Sequence, residues 1–456
     1  MHQTLSSPRL FLFCIVLALT GCANYTTADL TTAIIPAQRL AERFTLDTEW
    51  WKSYADPHLD RLMTQALERN INFARSAITI NKALYRAKLL GEDLVPAFSA
   101  DNTSSATRQL NSGTIDRSFK SELGIKYELD LWQKLRNTAS AQDWEYKATL
   151  EDRISTRLAL VNAVADTYFE LRYLTQAIAV TELSVTRYER LLALTTLRYD
   201  LGKAARIEPL QAEQSLLSTR NNLVSLRTQQ AVAQQTLHDL LHLNPDETLA
   251  LGNADLLAAQ TAPINMAVPL AALAARPDIH AAEARLQAAF KTLQASNASW
   301  YPAVSIGSTL GATSDQAVTS FTTPFLTGLV NVSFPFLQWN TLRWSIKISE
   351  AEFAIARLNF IESVTTALNE VAAAYVSSRN AQSTLANTVA KHEKDVQITA
   401  YYKTRYDLGA TELKDYLDAQ NTEDASLLAT LNAKYALIRA ENLVYKAMGG
   451  RYQPGS

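Results

Sequence analysis

The side chains best suited to chemistry in this sequence fall in two near-identical clusters, Arg198-Tyr199-Asp200 and Arg405-Tyr406-Asp407, the second followed by Lys414, Asp415 and Asp418. Guanidinium and phenol donors beside carboxylates make charge-assisted hydrogen bonds that hold two chain segments together and break when the segments part. They do not by themselves position an acid and a base on a substrate. His238 and His242 are spaced to share one helix face, but the Asp239-Leu240-Leu241 between them lacks the Glu that a zinc-type HExxH pattern places beside the first His. They read as surface or helix-end histidines. Glu182 and Arg190 read as part of a solvated helix face and not as an acid–base dyad. No catalytic constellation is present, so the expectation is a non-enzyme without cofactor or resident metal, whose polar clusters hold and release structure.

One further reactive group is Cys22. It follows a segment in which Arg9 is the only basic side chain before an apolar run from Leu10 to Leu19, too short to span a bilayer as a helix and suited to a signal peptide. The run ends in Leu19-Thr20-Gly21-Cys22, which resembles the lipobox of a bacterial lipoprotein. That resemblance implies cleavage before the cysteine and covalent lipid on its sulfur and nitrogen, enough acyl chains for stable anchoring. Ala23, in place of Asp, resembles the outer-membrane sorting pattern. Cys14 lies in the removed segment, so the mature chain would have no disulfide.

The elements that must position the two clusters are predominantly helical, because Gly and Pro number only 13 each in 456 residues while Ala, Leu, Gln, Glu and Arg dominate long stretches. Loss of residues 1–21 removes one of 43 basic side chains and none of 45 acidic ones, taking the net charge from −2 to −3, which gives no case for nucleic-acid binding.

The two clusters are also the clearest sign of an internal duplication. Arg198-Tyr199-Asp200-Leu201-Gly202 recurs as Arg405-Tyr406-Asp407-Leu408-Gly409, and the same spacing carries Trp132 onto Trp339, Leu135-Arg136 onto Leu342-Arg343 and Tyr168 onto Tyr375. The expected organisation is a signal peptide at 1–21, a lipidated N-terminal segment at 22–56, repeat 1 at 57–245, a linker at 246–275, repeat 2 at 276–449 and a tail at 450–456. In repeat 1, Asp56-Pro57 starts a helical pattern running to about Gly91, with a break at Pro96. A Ser/Thr/Asn/Gly-rich stretch at 99–114 reads as a turn region bounded by short extended runs. From 119 to 129 the pattern alternates, with Phe119, Leu123, Ile125, Tyr127 and Leu129 on one face and Lys120, Glu122, Gly124, Lys126 and Glu128 on the other. In repeat 2 the matching strand is expected over 326–336, with Leu329 and Pro335 departing from the alternation. Each strand pair precedes a stretch without Pro or Gly, 135–199 and 342–407, that predicts a helix on the order of 100 Å long. Gly202 and Gly409 end these, and return helices are expected to about Leu243 and Met448.

A hairpin with one apolar and one polar face can span lipid only in a closed sheet, since an open edge leaves backbone groups unpaired. Four strands cannot close a barrel, so closure requires oligomerisation, and three chains would supply twelve strands. A lipid-anchored coiled-coil scaffold or adhesin without a pore would explain the helices but not two strand hairpins at matching positions.

Nearly the whole mature chain resembles the outer-membrane factors of the TolC superfamily, in particular the lipoprotein subgroup of tripartite efflux systems. The carrying residues are Ala275-Arg276-Pro277-Asp278-Ile279, Ala281-Ala282-Glu283 and Trp300-Tyr301-Pro302 at the start of repeat 2. Asp56-Pro57 with Leu59, Leu62, Ala66, Leu67 and Asn70 carries it in repeat 1, and Leu417-Asp418-Ala419-Gln420 follows the second tip. The resemblance implies a homotrimer in which a twelve-strand β-barrel continues into a twelve-helix periplasmic α-barrel. It implies partners too: a periplasmic adaptor, an inner-membrane pump of the RND type and outer-membrane lipids. It assigns the tip as a gate, with Arg405, Tyr406, Asp407, Lys414, Asp415 and Asp418 and, in repeat 1, Arg198, Tyr199 and Asp200; Asp418 matches an acidic ring position. Lys414 stands where a pseudomonad-type relative has an apolar ring, which implies a salt-linked closure. Repeat 1 has Ile207 and Gln211 at the positions of Lys414 and Asp418, so the two tips are not equivalent. Gly202, Ala204, Ala205, Gly409 and Ala410 leave the tips small enough for close approach by an adaptor hairpin.

Overall fold

The computed structural model describes residues 44–454 except 245, 250, 253–254, 262–263, 265–272, 274 and 317–323. The signal segment, Cys22 and part of the inter-repeat linker lie outside the described residues. The elements are β1 (Phe44–Asp47), α1 (Pro57–Arg69), α2 (Ile71–Gly91), β2 (Ala97–Arg108), β3 (Ile115–Leu129), α3 (Lys134–Asp200), α4 (Ile207–Leu241), α5 (Pro277–Ala298), β4 (Ala303–Ser314), β5 (Pro324–Ser333), α6 (Trp339–Asp407), α7 (Leu413–Ala447) and β6 (Arg451–Pro454).

The expected single helix from Pro57 to Gly91 is two helices. Asn70 adopts an extended ψ of 121° because its side chain does two other things: it accepts from Phe73 N at 3.0 Å, capping α2, and donates to Leu240 O at 2.9 Å, tying the corner to α4. The turn region expected at 99–114 is mostly strand. β2 takes residues 97–108, and the turn is confined to 109–114, closed by Gln109 N→Thr114 O at 2.9 Å with Gly113 at φ 72°. Its small polar residues obscure the alternation. β5 ends at Ser333 and not at Phe336, because Pro335 has no N–H for a ladder and opens a short 3₁₀ turn, Pro335–Gln338.

The four long strands form one antiparallel sheet in the order β2-β3-β4-β5, joined across the two repeats by β3 and β4. Twelve-residue strands are about 40 Å long, and tilting them as membrane barrels do leaves roughly 30 Å of height, enough for a bilayer. Next to the sheet, α3 and α5 pack together between α2 and α6; farther away α3 and α7 pack together between α4 and α6. Two helices thus run the length of both layers, α3 with 67 residues and α6 with 69, about 100 Å each.

The core sits at the junction of the layers. Trp50, Leu59, Tyr168, Phe169, Leu237 and Ile438 are fully buried there, and a second cluster gathers Ile279, Val371, Val444 and Met448. Asp56 is one anchor. It caps α1 through His58 N at 2.9 Å and accepts from Tyr168 Oη at 2.6 Å and Arg172 at 2.7 Å. Repeat 2 has the reverse polarity: Arg276, just before α5, reaches Glu370 at 2.8 Å, Asp278 at 2.6 Å and Ala447 O at 2.7 Å. The segment before repeat 1 and the C-terminal tail meet as a two-stranded sheet, Asp47 opposite Arg451 and Phe44 opposite Pro454.

Apolar residues at heptad-like spacing remain uncovered on the outer helices: Ile71, Ile78, Tyr85 and Leu89 on α2, Leu210, Leu217 and Val224 on α4, and Ile348, Ile355 and Leu358 on α6. No described helix is long and apolar enough to cross a membrane.

Candidate functional site

The tips of both long hairpins are built by the same turn. In the first, Lys203 N donates to Arg198 O at 2.8 Å and Gly202 N to Tyr199 O at 2.9 Å; in the second, Ala410 N donates to Arg405 O at 2.8 Å and Gly409 N to Tyr406 O at 2.9 Å. This is a Schellman ending, and it needs a left-handed residue, which Gly202 at φ 67° and Gly409 at φ 68° provide. An added Cβ at either glycine would meet nothing within 4 Å. The backbone sets the requirement for glycine, and the turn surface is open. Ala204, Ala205 and Ala410 lie in these same turns, before α4 and α7.

The expected pairing of the tip arginines with tip aspartates is not the pairing within the chain. Arg405 donates to Tyr401 Oη at 3.0 Å and to Ala410 O at 2.9 Å, so it braces its own turn, and the Tyr401 bond raises its pKa. Asp407 takes Lys403 at 2.8 Å, Asp415 accepts from Thr411 Oγ1 at 2.5 Å, and Lys414 reaches Asp418 at 2.8 Å one turn along α7. The Asp418 bond raises the Lys414 pKa. Helical spacing did put Lys414 and Asp418 on one face, and they satisfy each other. Tyr406 stacks on Tyr416 with ring centres 6.1 Å apart. Tyr199 and Asp200 are exposed.

Toward the tip, the bonds that join the two repeats run instead from α3 to the first turns of α7. Arg198 forms an ion pair with Glu412, which raises the Arg198 pKa. Three turns further from the tip, Asp424 is buried and accepts from Ser184 Oγ at 2.8 Å and from Arg187, whose guanidinium also reaches Gln420 O at 3.4 Å. Between these pairs Leu191 of α3, Ala212 of α4 and Leu417 of α7 form a small buried cluster. Glu412, Asp424 and Arg187 were not among the sequence-based candidates. The signal that could have found them is modest, an Arg and an acid facing one another across two helices of the duplicated unit.

The histidines and the surface pair fall elsewhere. His238 has both ring nitrogens 2.8 Å from backbone carbonyls, of Gln234 and Glu247, and these two contacts raise its pKa. His242 is the left-handed cap of α4 at φ 51°. Glu182 pairs with Arg227 of α4 at 2.7 Å and not with Arg190, because α4 packs along that side of α3.

With one sheet edge-to-edge across both repeats, two 100 Å helices and a clasped tip, the architecture is that of a channel protein. Residues 62–241 and 268–450 match the family model described as outer membrane efflux protein. The chain belongs to that family, within the TolC superfamily of outer-membrane factors. It is 41% identical to an uncharacterized protein of Haemophilus influenzae over 95% of this chain and 96% of that one. It is 39% identical to toxin and drug export protein A of Aggregatibacter actinomycetemcomitans over the same shares. The solved outer-membrane channel OprN shares the fold, with a TM-score of 0.80 at 24% identity, covering 89% of this chain and 93% of that one. The protein is the outer-membrane channel component of a tripartite efflux system, set in the outer membrane with its helices in the periplasm.

Proposed function

We propose that three copies of the chain, each anchored by lipid on Cys22, close a twelve-strand barrel continued by a twelve-helix tunnel, through which substrates pass passively from a periplasmic adaptor and an RND-type inner-membrane pump to the exterior. The observation that carries this is the open four-stranded sheet. Among the described residues β2 and β5 each pair on one side only, and strands with uncovered edges are not viable in lipid. The apolar stripes on α2, α4 and α6 lie on the outer helices of both layers, the edges that would meet in a ring.

The tips supply the gate and the dock. In this reading the closed state is held where α7 is clasped to α3 by Arg198–Glu412 and by Asp424 with Ser184 and Arg187, while Arg405, Tyr406 and the Lys414–Asp418 pair shape the aperture itself. The adaptor contacts the two glycine turns and opens the clasp by favouring a position of α7 away from α3. The assembly is tested by placing a photo-crosslinking amino acid at Tyr85 of α2 or Leu358 of α6 in cells. Irradiation should yield species of two and three chains from both sites; monomer alone at both would overturn it.

A further inference from the structure

Each repeat joins a short helix near the sheet to the end of a helix near the tip by the same device. Asn70, just before α2, donates from its side chain to Leu240 O at the end of α4 at 2.9 Å; Arg276, just before α5, donates to Ala447 O at the end of α7 at 2.7 Å. The two bonds span 170 and 171 residues and fall at matching places of the duplicated unit. They set α2 over α4 on one flank of α3, and α5 over α7 between α3 and α6. Both donors are buried.

Duplication creates a competitor for this arrangement. The carbonyl at the end of α4 is equivalent to the one at the end of α7, and along the chain only the linker separates α4 from α5. A stack of α5 on α4 closes a loop several times shorter than the native stack of α5 on α7, which loop-closure entropy favours by about tenfold. The main chain does not distinguish the two sites, because each offers a helix-terminal carbonyl.

The side chains around the donors do differ. Arg276 also reaches Asp278 at 2.6 Å and Glu370 of α6 at 2.8 Å. Asp278 belongs to α5 and travels with Arg276 wherever α5 docks, whereas Glu370 is fixed on the long helix of repeat 2. The spacing that carries Tyr168 onto Tyr375 carries Ala163 onto Glu370, so α3 has no acid at the corresponding place. On the wrong stack the Arg276 guanidinium loses this acid. A charge-assisted bond to a half-exposed carboxylate supplies a preference of about tenfold, enough to offset the shorter loop. Asn70 is neutral, and its Oδ1 accepts from Phe73 N, so it needs no acid at Ala163.

From this we infer that the Arg276–Glu370 pair sorts the duplicated helices, directing α5 onto α7 and away from the nearer α4, whose end is thereby left to α2. The inference concerns the wiring of one chain and stands apart from the trimeric barrel.

The test reads that wiring in the full-length protein made in cells, using pairs of introduced cysteines and a short bismaleimide, with the single-cysteine chains as controls for Cys22. Arg69→Cys with Glu247→Cys reports the native stack, since these side chains face one another at 3.8 Å. Ala275→Cys with Glu247→Cys reports the wrong one, because Ala275 precedes Arg276 as Arg69 precedes Asn70. The otherwise unaltered chain should give the first product and almost none of the second. Arg276→Asn with Glu370→Ala should raise the second product by about tenfold. Adding Asn70→Arg with Ala163→Glu, which moves the pair to repeat 1, should return it to its original level. Ala163→Glu alone removes no native bond but offers Arg276 an acid at the wrong place, and it should raise the second product too. A second product unchanged in Arg276→Asn/Glu370→Ala or in Ala163→Glu would overturn the sorting role, whatever the effect on yield or stability.

Discussion

Replacing Asp424 with Ala tests the clasp between the repeats. The Asp424 side chain is 9% exposed, whereas that of Arg187 retains 25% exposure, and Ser184 is buried. Breaking a fully buried ion pair costs about 3–5 kcal/mol. The partial access of Arg187 to water lowers this to about 2 kcal/mol, since Ser184 keeps its bond to Val180 O at 3.2 Å and Arg187 keeps Gln420 O. If that energy acts only in the closed state, the closed-to-open ratio falls by about 30-fold. Single-channel recording measures this as an increase in open probability at unchanged ionic conditions. A double-mutant cycle with Arg187→Ala should show a coupling of about 1–2 kcal/mol between the two positions. Unchanged open probability in Asp424→Ala, or a coupling of zero, would refute the assignment of these residues to the closed state.

Other expectations follow from the same geometry. Lys414→Leu removes a half-exposed pair within one helix, so its effect on thermal stability should be small, about 0.5 kcal/mol, while the salt dependence of channel closure should weaken; unaltered salt dependence counts against a salt-linked aperture. Burial pushes the Glu441 carboxyl up to about 8, and one of its oxygens has no hydrogen-bond partner. Because its folded pKa lies above the usual carboxylate value, its contribution is most favourable below about pH 4.5 and is lost as the pH rises toward 8. Glu441→Gln should therefore raise the melting temperature more at pH 8 than at pH 5, as read by heat-modifiable gel migration, and an equal shift at both would contradict the buried neutral carboxyl. Leucine at both Gly202 and Gly409 forces a left-handed backbone costing about 1–2 kcal/mol at each turn and puts bulk on an open surface, so adaptor crosslinking should fall; full crosslinking would remove the glycine turns from the dock. Cys22→Ser should abolish incorporation of labelled palmitate, and retained label would place the lipid elsewhere.

Much of the fold was readable because it is local or repeated. The absence of Pro and Gly foretold α3 and α6 almost to the residue, and the two glycine tips were visible as one pentapeptide written twice. β3 was visible from its alternation, whereas β2 was hidden because small polar residues fill both of its faces. The break at Asn70 was hidden for another reason. Its ψ is set by a bond to Leu240, 170 residues away, which no local pattern reports. The same distance separates the legible from the illegible part of the tip. Lys414 and Asp418 could be paired from helical spacing alone, but Arg198 with Glu412 and Arg187 with Asp424 depend on how α3 and α7 lie side by side. Asp56 was recognisable as the start of a helix and not as the anchor of Arg172, which lies 116 residues later in the chain.

The open sheet makes the most direct demand. Among the described residues the β2 and β5 edges are free, and the proposed assembly has them meet in other copies and the product conduct. Recording from the purified full-length protein in planar bilayers, with its oligomeric state followed by heat-modifiable migration, measures both at once. The account predicts a trimer that inserts and passes discrete, stepwise ionic currents, lost when the trimer is heated to monomer. A monomeric protein, or a trimer that inserts without conductance even after Asp424→Ala, would contradict it.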